Sequence, residues 1–384
     1  MKILVVSHKP AYPARDGGCL AMQSLIKVLL QIESVKLSVF SLYTHKHPKP
    51  TVDQLPSEVN FKFSPINTQL KPIKALSHFA LNKNYNLSRF YNQQVSKELQ
   101  AFAIDTEPDI VIFESLFSLI YIHDLREIIE AKFIYRSHNI EYKIWQELSN
   151  LSNGPKKIYI NQLWKSLKKE EEFWSKQADH ILCISALDQE AYANWDIKQS
   201  SILWPSLSLQ KAKESLNNKA YHLGAMDWQP NVEAWNWFQE EVLPHCKHKI
   251  EIHLAGKAMP EDLETHDWVK NHGEIKSVND FLADKDICLV PLLSGSGIRM
   301  KVLEAASLGK ALISTSKGVE GLELEDKKHF LLADDPLEFA KAMDVLYSDD
   351  QLRSALGNNL HLWAKEKLSP SAQASYLQQL FQQV

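Results

Sequence analysis

Short apolar runs of strand length recur along the chain and alternate with polar segments of helical period. Lys2–Ser7, Val35–Leu42, Pro108–Glu114, Asp179–Ser185, Ala220–Ala225, Ile250–Ala255, Ile287–Leu292 and Ala311–Ser314 are of this kind. Runs so nearly continuous suit strands covered on both faces of a parallel sheet. Lys132 onward gives a further strand that runs into a polar turn ending at Tyr142, and Ser201–Pro205 reads as the last strand of a first domain. Between them, helical spacing is read from Leu20 to Leu30, from Lys71 to Phe102, from Lys156 to Gln177, from Pro336 to about Tyr347, and from Leu352 to the end. The alternation predicts an α/β chain of two doubly wound, Rossmann-like domains. The polar, lysine-rich segment 206–219 is placed as the linker between domains 1–205 and 220–371. Ser369-Pro-Ser371 is read as a break before a last helix, about 372–384.

The stretch Asp286–Thr315 reads as strand, glycine loop, helix, strand. Its loop, Ser294-Gly-Ser-Gly297, has two residues without a Cβ and is followed by Arg299 and Lys301. Free backbone amides and two cations then converge at a helix N-terminus, which suits phosphate. Glu304 stands seven residues after Gly297, nearly two helical turns, so its carboxylate shares the face that begins at the loop. A carboxylate there can accept the hydroxyls of a ribose. The same spacing also fits a plain flexible turn followed by a solvated helix.

The run from Gly297 to Leu322, Gly-Ile-Arg-Met-Lys-Val-Leu-Glu-Ala-Ala-Ser-Leu-Gly-Lys-Ala-Leu-Ile-Ser-Thr-Ser-Lys-Gly-Val-Glu-Gly-Leu, resembles the donor-site signature of glycosyltransferase family 4 (glycosyl transferases group 1). The resemblance implies the GT-B fold, with two Rossmann-like domains facing across a cleft and the C-terminal helix returning to the first. It implies a retaining, metal-independent transfer from a nucleotide sugar, UDP- or GDP-linked, with no further cofactor. It assigns phosphate contacts to Gly295, Ser296 and Gly297, the ribose to Glu304, and the nucleobase to the backbone at Gly273 to Ile275. Two family features are altered. Ser296 stands where the first of two signature glutamates is expected, and Ala225 and Pro230 occupy the positions of the usual diphosphate-binding cations. Arg299 and Lys301 are the candidates to replace those cations.

In the first domain, Gly17 and Gly18 open the first helix, and the resemblance gives them the donor phosphates. His138 follows a strand end, where open α/β sheets bind ligands, and the resemblance gives it the donor sugar. Asp227–Asn231 reads as a helix-start turn with Asn231 as the N-cap. Asp284-Lys-Asp286 looks like a metal motif of another glycosyltransferase class but reads as a surface turn, so no metal site is expected. Lys168-Lys-Glu-Glu-Glu172 reads as ordinary charge pairing on a surface helix.

The segment Lys71–Phe102 sets Lys71, Lys74, Lys83, Arg89 and Lys97 among Phe79, Tyr85, Phe90 and Tyr91. It fits a solvated helix face, or docking at an anionic membrane. Net charge is −4, divided as +3 over residues 1–205 and −7 over the remainder, so the first half suits an anionic acceptor or lipid surface. Four unpaired cysteines, no signal-peptide pattern and no membrane-span run lead us to expect a cytoplasmic protein, peripheral at the inner membrane face. The expected partners are a nucleotide sugar and a glycan or lipid-linked acceptor of cell-surface polysaccharide, with no nucleic acid. A nucleotide-sugar epimerase and a non-catalytic nucleotide-sugar or glycan-binding protein are the competing readings.

Overall fold

The computed structural model describes residues 1–81, 83–150, 152–210, 217–260, 266–295 and 297–384. The chain divides into two compact units. Met1–Ser206 and Gln373–Val384 form the first, and Leu207–Ala372 the second. Part of the segment read as a linker, residues 211–216, lies outside the described residues.

The first unit is built on seven parallel strands: β1 (Lys2–Ser7), β2 (Lys36–Tyr43), β3 (Asn60–Pro65), β4 (Ile110–Glu114), β5 (Lys132–Arg136), β6 (His180–Cys183) and β7 (Ser200–Ile202). They lie in the order β3-β2-β1-β4-β5-β6-β7. Because side chains alternate between faces, each strand feeds two cores. Leu4, Val6, Val111, Phe113, Phe133 and Tyr135 pack on one side, and Ile3, Val5, Ile110, Ile112 and Ile134 on the other. Ala374, Leu377 and Leu380 of the helix Pro370–Gln383 complete the second of these cores. The register sets Ser7 beside Glu114 and Glu114 beside Arg136, at the point where strand order reverses.

Three features of this unit differ from the sequence reading. β3 is additional; its Asn-Phe-Lys-Phe-Ser-Pro alternation belongs to an edge strand, and it lacks the continuous apolar run of a central one. The helical span from Lys71 is broken into Pro72–Ala80, Tyr85–Ser88 and Gln93–Thr106, with Asn84 and Asn92 capping the latter two. Glu171, read as part of a surface charge run, is buried. Its two oxygens accept the backbone N–H groups of Glu141 and Tyr142, at 2.8 and 2.9 Å, and so close the N-terminus of the helix Glu141–Asn150.

The second unit carries six parallel strands: β8 (Ala220–Leu223), β9 (Ile252–Ala255), β10 (Val269–Asn271), β11 (Ile287–Val290), β12 (Ala311–Ser314) and β13 (Leu331–Leu332). Their order is β10-β9-β8-β11-β12-β13, so the reversal falls between β8 and β11. The loops after those two strands form the site described next. Gly224 and Gly256 let the ends of β8 and β9 close together, since a Cβ on Gly256 would stand 1.9 Å from the Gly224 carbonyl oxygen.

Candidate functional site

In the second unit, the loop after β11 passes Gly295 and Gly297 at φ +100° and +81°, a region that favours glycine, and enters the helix Met300–Leu308. A Cβ on Gly295 would meet the Trp228 ring at 2.9 Å and Pro230 at 3.2 Å, so the loops after β8 and β11 lie in contact. Ser294 Oγ donates to Glu233 at 2.6 Å and adds a second tie. Ser296 lies outside the described residues.

Arg299 is buried, and its guanidinium is turned into the loop. Nη1 donates to the Gly297 carbonyl and Nη2 to the Gly295 carbonyl, both at 2.9 Å, and the cation lies 5.8 Å from the Trp228 ring centre. Arg299 thus braces the turn that the two glycines make. Lys301 stands in the first turn of the helix and donates to Asn231 Oδ1 at 3.0 Å. Burial pushes its ammonium pKa down to about 7. Glu304, one turn further along, is pushed up to about 7, also by burial, with Lys301 opposing the shift. Its carboxyl makes no hydrogen bond with the described residues, so its acceptor capacity is open to a ligand.

Asn231 is not the cap the sequence suggests. The helix Gln229–Trp237 begins at Trp228, and Asn231 lies buried within its first turn. Its Nδ2 donates to the Ala225 carbonyl at 2.9 Å while its Oδ1 holds Lys301. A Cβ on Gly224 would lie 2.8 Å from this side chain, so the glycine makes room for it. Gly273 and Ile275 follow β10. Gly273 has φ +62°, and its carbonyl accepts from the Gly256 N–H at 2.9 Å. Asp284, in the run that resembled a metal motif, is held by Lys219 at 2.8 Å and Lys285 at 2.7 Å.

In the first unit, Gly17 and Gly18 do not form a loop. They are the first residues of the helix Gly17–Leu29, capped by Asp16, which accepts the Cys19 N–H at 2.9 Å. A Cβ on Gly18 would approach Lys9 Nζ at 3.0 Å, and one on Gly17 would meet nothing. Asp16, Cys19 and His47 bring potential metal-ligating atoms within 4.8 Å of one another. Lys9 Nζ already takes both Asp16 oxygens, at 2.8 and 2.7 Å, and burial pushes the Cys19 thiol up, so the trio does not suit a cation.

His138 follows β5, and its Nε2 donates to Glu114 Oε2. Arg136 Nη1 donates to the same carboxylate at 3.0 and 3.3 Å and to the Ala21 carbonyl at 3.1 Å. Burial alone would raise the Glu114 carboxyl, but Arg136 and then His138 outweigh it and hold it well below the ordinary range. His8, just past β1, places Nδ1 3.2 Å from the Glu114 carbonyl and 2.9 Å from Ser115 Oγ. Burial lowers its pKa to about 3, which keeps it neutral. Glu141 is pushed up to about 7 by burial. Sequence reasoning missed Glu114, Arg136, His8 and Asn231 as site residues. For Glu114 and Arg136 the available signal was a charged residue ending an apolar strand run.

Comparison with known proteins agrees with the fold. Residues 217–349, within the second unit, match the family model described as "Glycosyl transferases group 1". Along its whole length the chain is similar to a solved Anabaena structure, Alr3699/HepE in complex with UDP. That match has a TM-score of 0.68 and 14% identity, with 100% of each chain covered. It is likewise similar to the lipopolysaccharide outer core galactosyltransferase WaaB, with a TM-score of 0.66, 16% identity and 100% of each chain covered. The fold is therefore that of GT-B glycosyltransferases. An "Uncharacterized 44.6 kDa protein in cps region" of Klebsiella pneumoniae is 24% identical over 379 residues, covering 88% of this chain and 89% of that protein.

Proposed function

We propose that the protein is a retaining, metal-independent glycosyltransferase that moves a sugar from a UDP-linked donor to a glycan or lipid-linked acceptor in cell-surface polysaccharide synthesis. The observation that carries this is the pairing of a half-buried Lys301 with an unengaged Glu304 on one helix face, following a glycine loop. Phosphate would meet Lys301, the loop amides and the positive end of the helix, and Glu304 would accept the ribose hydroxyls. The diphosphate gains negative charge as the bond to the sugar breaks, so these groups stabilise the transition state more than the bound donor. His138 is proposed as the contact of the donor sugar and Arg299 as the brace of the loop. UDP is the nucleotide of choice because the similar Anabaena protein was solved with UDP, and the relative from a cps region supports a polysaccharide acceptor.

A thermal-shift panel with UDP, GDP, ADP and TDP tests the donor site. At about a hundred times its dissociation constant a ligand adds about 2.7 kcal/mol, several degrees for a domain of this size. UDP should stabilise the wild type and leave Glu304→Ala unmoved. No shift with any nucleotide would favour a glycan-binding protein with a disused donor site.

We further propose that the first unit rests on an anionic lipid surface. Leu70, Ile73, Leu81 and Ile158 are 66, 85, 67 and 66% exposed. Their segments meet through Phe79 and Tyr159, whose rings stack at 5.6 Å. Lys71, Lys74, Lys83, Lys156 and Lys157 are exposed around them, and neither 66–84 nor 152–160 contains an acidic residue. Among the described residues no helix is long and apolar enough to cross a membrane. Each lysine near such a surface contributes about 1 kcal/mol. Vesicles of phosphatidylcholine with phosphatidylglycerol should therefore sediment the protein, and pure phosphatidylcholine should not. Replacing Lys71, Lys74, Lys156 and Lys157 by serine should weaken that binding at least about tenfold; equal binding to both vesicles would remove the proposal.

A further inference from the structure

Glu114 is wholly buried at the end of β4, and the register brings it beside Arg136 on β5. A buried ion pair returns little stability over an apolar pair of similar volume, and is retained where its geometry serves something else. Here Arg136 approaches Oε1 and Oε2 with one nitrogen, and the carboxylate also receives the imidazole of His138 on Oε2. The ring is only 11% exposed, and its Nδ1 makes no hydrogen bond with the described residues. An ionised carboxylate offers lone pairs alone, so the nitrogen facing it carries hydrogen. The bond made by one ring nitrogen thereby fixes what the other can do.

We infer that Glu114, anchored by Arg136, is a positioning residue that holds His138 as its Nε2–H form and turns Nδ1 outward as the acceptor for a sugar hydroxyl. Arg136 is part of the same device, because its further bond to the Ala21 carbonyl ties the carboxylate to the helix Gly17–Leu29. The pair sets both the rotation of the ring and the chemistry of its exposed edge. This rests on His138 being the sugar contact proposed above.

The test is ¹⁵N spectroscopy of histidine in the full-length protein, with the His138 signal assigned by its loss in His138→Ala. The neutral ring of the wild type should show Nε2–H with Nδ1 unprotonated. A wild-type spectrum of the Nδ1–H form overturns the inference without recourse to any variant. In the double variant Glu114→Leu, Arg136→Met, which leaves no buried charge unpaired, the Nε2–H preference should disappear. Its kcat for the sugar donor should fall about tenfold or more, with the UDP dissociation constant within twofold of the wild type. A folded double variant that keeps either the Nε2–H signal or the wild-type kcat overturns the assignment. Full turnover by His138→Ala would instead remove the sugar-contact role on which the assignment rests, and the tautomer measurement would still decide whether Glu114 sets the ring.

Discussion

Exchange of Lys301 for methionine is expected to lower turnover of the sugar donor by about 10²–10³-fold, the usual cost of removing one preorganised charge-stabilising donor. The loss should fall on kcat more than on KM, because the diphosphate gains charge on the way to the transition state. Arginine should not restore activity, since a planar fork does not replace a point charge held on Asn231 Oδ1 at 3.0 Å. The same residue sets a pH dependence. Its pKa of about 7 in the unliganded protein means that above pH 7 the diphosphate must bring in a proton. UDP affinity should then fall by up to about tenfold per pH unit above that point, and the methionine variant should show no such fall.

The sign for stability is the opposite. Between about 7 and the ordinary value of 10.5 the unfolded chain holds a proton on this lysine that the folded chain does not. Stability without ligand therefore rises with pH across that window, and the methionine variant loses the rise. Titrating UDP binding and melting temperature from pH 6 to 9 checks both. A methionine variant with full turnover would remove Lys301 from the mechanism.

Gly256→Ala is expected to destabilise the second unit by about 3 kcal/mol or more, at the upper end of what overpacking costs. The added Cβ would lie 1.9 Å from the oxygen and 2.5 Å from the carbon of the Gly224 carbonyl, and neither is a flexible side chain that could move away. The strain would reach the site directly. Gly224 makes room for Asn231, whose Nδ2 bonds the Ala225 carbonyl and whose Oδ1 holds Lys301. Urea denaturation should show a lower midpoint with an unchanged slope, accompanied by weaker UDP binding. Gly17→Ala is the contrast. It adds a methyl group to open space in a helical turn and should be neutral or stabilising by up to about 1 kcal/mol. Equal effects from the two alanines would mean that the contact between β8 and β9 carries no strain.

The fold was largely legible because parallel strands covered on both faces must be apolar nearly throughout. Val111, Ile112 and Phe113 declare a strand whatever surrounds them. β3 escaped because an edge strand needs only one apolar face. At the site, the spacing of Gly297, Lys301 and Glu304 was visible, since it depends only on helical geometry. The direction of Arg299 was not, because positive φ at Gly295 and Gly297 aims two carbonyls at its guanidinium and spacing cannot express that. Glu114 and Arg136 stayed hidden for a related reason. They lie 22 residues apart, and only the pairing of β4 with β5 makes them neighbours. Glu171 was misread because an acidic run with lysines at helical spacing looks the same whether or not one of its members turns inward to cap another helix.

The helix Pro370–Gln383 has a consequence for synthesis. Leu377 and Leu380 are part of the first unit's core, yet they leave the ribosome only after the whole of the second unit. Met1–Ser206 emerges early with one face of its sheet still lacking those side chains, and that face stays uncovered while the whole of Leu207–Ala372 is translated. Domains generally fold in the order in which they appear. Here the second unit can finish first, and the first unit closes only after it, which leaves an apolar surface open to chaperones while Leu207–Ala372 is made.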